Sequence, residues 1–245
     1  MDTRFWGPDG WKLLHSICIN YDNKYKEDYI LFFDTLKYVL PCIYCRNSFT
    51  EYSEKLKIDS YLKDNYSLSE WLYKIHNMVN DKLRKQKLLH EKDPTFEEVY
   101  QRYITYVDEI NKANCIGMPG WDFIYCILFN YPKGKDLKES TSERLAGYYI
   151  FLTQLPKVLP FKKAKEILIN TNISAPKLLN SRRTLQNLAY KMEKAVNNNI
   201  NCKCISFKDR CDIIESHRAG CKNLTCRGDT HQFRLKKTAS RSFLN

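Results

Sequence analysis

The sequence predicts an all-α protein: an N-terminal bundle of four helices plus a short fifth, followed by a second, mainly helical domain. Apolar residues recur at helical spacing through residues 11–83, N-capping patterns punctuate those runs, and no stretch alternates apolar and polar residues as a strand would. The first helix carries Trp11, Leu14 and Cys18 on one face, and the second carries Ile30, Phe33, Leu36 and Leu40. Pro41 ends that helix and is placed to open the next, where its missing N–H costs nothing. The third face runs Cys42, Cys45, Phe49, Tyr52, Leu56. A fourth helix opens at Ser67-Leu68-Ser69-Glu70, a capping-box spacing, and continues through Leu72, Ile75, Val79 and Leu83. Short connections favour an antiparallel bundle.

His90-Glu91-Lys92-Asp93-Pro94 reads as a linker, which divides the chain into residues 1–93 and 94–245, and Thr95-Phe96-Glu97-Glu98 is a second capping box. A turn follows at Gly117-Met118-Pro119-Gly120, with helices expected near Trp121–Asn130, Ser142–Gln154, Phe161–Asn170 and Ser181–Val196. The tail after His231 is basic and expected to fray. No internal repeat stands out.

The chain of 245 residues is 43% hydrophobic with 8 Gly and 8 Pro, which excludes collagen-like and low-complexity classes. No apolar run is long enough to span a membrane, and the first residues lack the apolar core of a signal peptide, so the protein is expected to stay where it is made. Two features pull against a reducing cytosol and a featureless surface. There are 10 cysteines, many for a compartment that keeps thiols reduced. The net charge of +12 is also lopsided, since residues 1–100 are nearly neutral and residues 101–245 carry the excess. Such a basic half suits nucleic acid, an acidic protein surface or an anionic membrane; no nucleic-acid motif accompanies it, and a substrate-docking or dimer-supporting role is favoured.

Pro41-Cys42-Ile43-Tyr44-Cys45 is the sharpest local feature. Two cysteines at this spacing at a helix start can close a small disulfide, and the helix N-terminus favours a thiolate. The spacing alone also serves half of a zinc site or plain packing. Around it stand, in order, Trp6-Gly7-Pro8, Trp11-Lys12-Leu13-Leu14-His15, the cysteine pair, and His76-Asn77-Met78-Val79-Asn80-Asp81-Lys82-Leu83. On these four elements residues 4–90 resemble the Erv/ALR family of FAD-linked sulfhydryl oxidases, most closely those of large nucleocytoplasmic DNA viruses.

The resemblance implies FAD as cofactor, with Cys42 and Cys45 as the redox-active pair. It implies that Gly7, Trp11, His15, Tyr21, His76, Asn77, Val79, Asn80, Lys82 and Lys85 line the cofactor. The spacing is compatible: His76 and Asn80 share a helix face with Arg84 one turn on, and Trp11 and His15 repeat that spacing. It further implies that protein dithiols, or a thioredoxin-like carrier, reduce the pair, that O2 accepts the electrons as H2O2, and that the protein is a homodimer. The expected setting is the host cytoplasm or a viral factory, or the virion itself.

Arg84-Lys85-Gln86 replaces the Gly-Lys-Pro common in cellular relatives, and no second cysteine pair follows Cys45 before Cys115. Cys202-Lys203-Cys204 is a candidate shuttle disulfide, although Cys202, Cys204, Cys211, Cys221 and Cys226, with His217 and His231, could instead form structural disulfides, the favoured alternative, or bind zinc; no metal site is assigned. Cys18 is expected to be an inert buried thiol. The rival reading is a basic, non-enzymatic zinc- or nucleic-acid-binding protein.

Overall fold

The computed structural model describes residues 1–113, 117–138, 140–171, 181–200 and 204–219. Every regular element among them is helical: α1 Thr3–Ile19, α2 Lys26–Val39, α3 Ile43–Lys55, α4 Asn65–Lys85, α5 Phe96–Lys112, α6 Trp121–Phe129, α7 Lys135–Lys138, α8 Ser142–Val158, α9 Lys162–Asn170, α10 Arg182–Asn199 and α11 Phe207–Ala219, with short 3-10 turns before α2 and α4. The all-α class stands. None of these helices is long and apolar enough to cross a membrane.

Two starts differ from the sequence reading. α3 begins at Ile43, because Cys42 takes the extended N-cap conformation (φ −129°, ψ 130°) and Pro41 stays outside the helix. α4 begins at Asn65, because the Asp64 carboxylate accepts the Ser67 N–H at 2.8 Å and caps the helix ahead of Ser67. The Thr95 capping box is present with both reciprocal bonds, which stabilises α5 by about 1 kcal/mol. α8 runs past Gln154 to Val158, since Leu155 and Val158 are buried and Lys157 pairs with Asp28 at 2.8 Å. The sequence pattern does not announce α11, because among the described side chains of the helix only Ile214 is buried and about half of its residues are charged.

Buried side chains from both sides of residue 93 form one cluster, with α2 against α8 at its centre and α1 against α6 beside them. Helices α6, α8, α9, α10 and α11 repeat α1, α2, α3, α4 and α5, which corrects the reading that the chain has no internal repeat. Gly10-Trp11 recurs as Gly120-Trp121; Tyr29, Phe32, Leu36 and Val39-Leu40-Pro41 recur as Tyr148, Phe151, Leu155 and Val158-Leu159-Pro160; Tyr73-Lys74 and Val79-Asn80 recur as Tyr190-Lys191 and Val196-Asn197. The contacts repeat too. Tyr73 packs on Phe96 (5.4 Å) and donates to the Pro94 carbonyl, and Tyr190 packs on Phe207 (5.2 Å) and donates to the Ile205 carbonyl. Connecting loops differ in length between the halves, so no constant period exists for the eye to find.

The halves meet as two-fold mates. Phe32 and Phe151 stack at 5.6 Å on the antiparallel α2–α8 contact, the Asp28–Lys157 pair lies at one end, and its counterpart Gly147–Tyr38 lies at the other. On α1–α6, Gly10 faces Phe123 and Gly120 faces Leu13 so closely that an added Cβ would lie 2.9 and 2.6 Å away. Such reciprocal pairing is the mark of an isologous interface.

Candidate active site

Cys42 and Cys45 occupy the N-cap and third helical position of α3, both half-buried at the edge of the core. The Cys42 Sγ accepts the Cys45 backbone N–H at 3.4 Å. That donor, with the helix N-terminus behind it, is aimed at the Cys42 sulfur and stabilises negative charge there. Arg46, one residue further, donates to the Leu40 carbonyl at 2.7 Å and ties α3 to the end of α2. Burial lowers the Arg46 pKa, and the neighbouring Arg144 of α8 lowers it further, so the second half reaches the rim of this site. Ile43, between the cysteines, is 52% exposed and offers an apolar landing next to Cys42.

Behind the pair, α1, α4 and α5 assemble an aromatic stack. Trp11 lies flat on His76 with centroids 3.8 Å apart and an 11° interplanar angle. His15 Nε2 and His76 Nδ1 share a hydrogen bond of 3.1 Å, and Tyr103 stacks on His15 at 4.8 Å. Burial holds the His15 pKa well below the ordinary 6.5, helped by the neighbouring His76. Burial likewise takes His76 down to about 4, against a smaller opposing pull from Asp93. Both imidazoles are therefore neutral at pH 7.

A pH dependence follows. The unfolded chain takes up these protons near pH 6.5 and the folded stack resists them, so stability falls as pH drops through 6.5 and the His76 share stops falling below about 4. Its size is on the order of 2–3 kcal/mol. Thermal melts between pH 7 and 4 should show this slope, reduced in a His76→Phe variant; an equal slope in both would remove the histidine from the account.

The last turns of α4 lead from the stack to the cysteines. Lys82 Nζ donates to Ser48 Oγ at 2.8 Å, one turn beyond Cys45 on α3. Asn80 and Arg84 both hold the Asp93 carboxylate, at 2.6 Å each, which pins the loop before α5. Asn77 and Val79 are half-buried on the same helix, Val79 against the core. Lys85 is exposed.

Thus Trp11, His15 and His76 are brought together, and Asn80 and Lys82 extend from them. Tyr21 is not: its hydroxyl donates to the Leu62 carbonyl at 2.9 Å and its ring meets Tyr29, a contact beyond the end of α1. At Gly7 nothing lies within 4 Å of an added Cβ, so no close approach explains a glycine there. Tyr103, Asp93 and Ser48 are not among the site residues expected from the sequence. The spacing of Val99, Tyr103, Val107 and Ile110 on α5 was the available signal for Tyr103.

The donor set suits FAD: a half-buried aromatic platform for a flat ring, side-chain amides at Asn77 and Asn80, and Lys82, Arg84 and Lys85 in the last turn of α4 for a diphosphate. Elsewhere, Cys18 and Cys126 are buried and burial pushes both thiols well up. Cys204 Sγ accepts from Asn197 at 3.2 Å and Cys211 lies 3.9 Å from an Arg183 nitrogen. Cys115, Cys202, Cys221, Cys226 and His231 lie outside the described residues. Among the described residues no three His, Cys, Asp or Glu side chains gather as a metal site.

Comparison with known proteins agrees with this geometry. The family model described as Erv1 / Alr family matches residues 8–103. A probable FAD-linked sulfhydryl oxidase of Acanthamoeba polyphaga mimivirus is 35% identical over 85 residues, covering 33% of this chain and 59% of that protein, so the chain spans less than two thirds of that relative. The FAD-linked sulfhydryl oxidase of African swine fever virus (isolate Pig/Kenya/KEN-50/1950) is 28% identical over 116 residues, 46% of this chain and 93% of that one. The mitochondrial FAD-linked sulfhydryl oxidase of Saccharomyces cerevisiae is 29% identical over 90 residues, 35% of this chain and 47% of its own. No solved structure matches the chain significantly.

Proposed function

We propose that the chain, which carries an Erv1/Alr family domain over residues 8–103, is an FAD-linked sulfhydryl oxidase that forms disulfides in protein dithiols. The observation that carries the reading is the join between the two parts of the site: the cysteine pair at the start of α3 is tied through Ser48 and Lys82 to the Trp11–His76 stack. A substrate thiolate attacks Cys42 Sγ, next to exposed Ile43, and the Cys42–Cys45 bond breaks with Cys45 leaving as the thiolate. The second substrate thiol then attacks the mixed disulfide, releasing oxidised substrate and leaving both cysteines reduced. The Cys45 backbone N–H steadies charge at Cys42 during this exchange. When bound, FAD supplies the two-electron acceptor that reoxidises the pair and is itself renewed by O2, yielding H2O2. Trp11, His15, His76, Asn77, Asn80, Lys82 and Lys85 would hold it, the neutral imidazoles facing the ring and the cations the diphosphate.

Substrates are protein dithiols or a thioredoxin-like carrier, and the setting is viral: host cytoplasm, viral factory or virion. Cys202 and Cys204 are the shuttle candidates. The basic zinc- or nucleic-acid-binding alternative accounts for none of the joined site. A visible spectrum of purified protein decides between them. A flavin band near ~450 nm that bleaches with anaerobic dithiothreitol and returns in air is the expected result; a colourless protein would end the oxidase reading. His76→Ala should cost at least ~10-fold in flavin affinity, by loss of the ring contact and exposure of the His15 nitrogen, measured by flavin retained through gel filtration.

A further inference from the structure

We propose that α6 and α8–α11 form a cofactor-free copy of the first bundle, serving as its built-in partner subunit, so that each chain holds one flavin and works as a monomer. The proposal rests on the FAD reading above, and it moves the domain boundary from residue 93 to the segment between α5 and α6.

The repeat preserves the helices, and the side-chain caps of α4 and α5 recur at Ser181 of α10 and Ser206 of α11, but the chemistry is not kept. Where α3 starts on Cys42 with Cys45 in its first turn, α9 starts on Phe161 with Ala164 in its place. Trp11 survives as Trp121, but His15 becomes Tyr125 and His76 becomes Glu193. The geometry between those two positions persists: Tyr125 donates to Glu193 at 2.8 Å where His15 meets His76 at 3.1 Å. The cations at the end of α4 have no counterpart on α10, whose last turn carries no basic residue.

The position is also filled. Arg210 of α11 lies over the Tyr125 ring at 4.9 Å, pairs with Glu193, and reaches Asp122 at 2.9 Å. Tyr125 and Glu193 are almost wholly buried. The buried Glu193 carboxylate takes up the charge of Arg210, which is then not available to a diphosphate. A side-chain network thus replaces the ligand that an open aromatic platform would accept.

The partner role follows from what the copy covers. α2 buries Phe33, which packs on Trp71 of its own bundle, and also Phe32, which packs on Phe151 of the copy. Without α8, the Phe32 side of α2 would be an exposed apolar stripe, which soluble chains cover by association. The reciprocal pairs across α2–α8 and α1–α6 have the symmetry of a two-fold dimer. Joining both halves in one chain makes this contact intramolecular and independent of concentration. The homodimer expected from the family resemblance has no claim left on this face.

Two measurements on the purified full chain test this: flavin released on denaturation, quantified per polypeptide, and solution mass by light scattering. About one flavin per chain with a mass near 29.1 kDa is expected. Two flavins per chain would overturn the cofactor-free copy while leaving the oxidase reading intact. One flavin per chain at twice the mass would overturn the built-in partner. A chain without flavin ends the oxidase reading and, with it, the cofactor half of the proposal; its mass then still decides the partner half, a dimer overturning it and a monomer supporting it. Arg210→Met should lower the Tm and leave flavin per chain at one, whereas loss of flavin in this variant would place Arg210 in the cofactor site and overturn the assignment.

Discussion

Cys42→Ser is expected to reduce dithiol-dependent O2 consumption on the order of 10³-fold or more while leaving bound flavin unchanged. The serine hydroxyl can still cap α3, because an oxygen at the Cys42 Sγ position accepts the Cys45 N–H at least as well as sulfur does. The fold and the residues proposed to hold the cofactor on α1 and α4 are therefore preserved, and only the electrophilic sulfur is lost. Cys45→Ser should be as inactive, since no disulfide can form, but it leaves Cys42 as a thiol able to be trapped by an activated substrate disulfide. Oxygen-electrode rates beside flavin absorbance make the check. Full turnover by Cys42→Ser would mean that another pair, such as Cys202 and Cys204, meets the substrate and reduces the cofactor directly.

The second large effect is expected at Gly147. An added Cβ there would lie 2.9 Å from the Tyr38 Cβ, where α8 passes close to α2. Gly147→Leu forces the two halves apart, at a cost of about 1–3 kcal/mol for the overpacking and more if the helices separate. Denaturant titration should show a lowered midpoint, and the uncovered Phe32 side of α2 should drive concentration-dependent self-association visible in light scattering. Gly7→Leu is the matched control, because nothing lies within 4 Å of its Cβ. Equal stability of the two variants would mean that the α2–α8 contact contributes little.

Local chemistry made much of this readable in advance. The Thr95 box, the turn at Gly120 and the cysteine pair at a helix start depend on a few neighbouring residues, and each occurs as the spacing suggests. His76, Asn80 and Arg84 share a face of α4, as a 3.6-residue period requires. The structure departs from or adds to the local pattern in two ways. A stronger local acceptor, Asp64, displaced Ser67 as the cap. Distant residues supplied the rest: Tyr103 reaches His15 because α5 packs on α1, and the Tyr21 hydroxyl goes to a carbonyl forty-one residues away.

By itself the sequence determined the helical class, the position of the cysteine pair on the N-terminus of α3, and the composition of the α4 face, since these follow from periodicity, capping and side-chain type within a few turns. Only the tertiary structure decided that Trp11, His15, His76 and Tyr103 form one neutral stack, that Arg144 approaches Arg46 beside the cysteines, and that the second half mirrors the first. The physical reason is that repeats separated by loops of unequal length keep their register in space and not along the chain. The identity of a buried neighbour is set by which faces must exclude water, and that choice is made only when the helices pack.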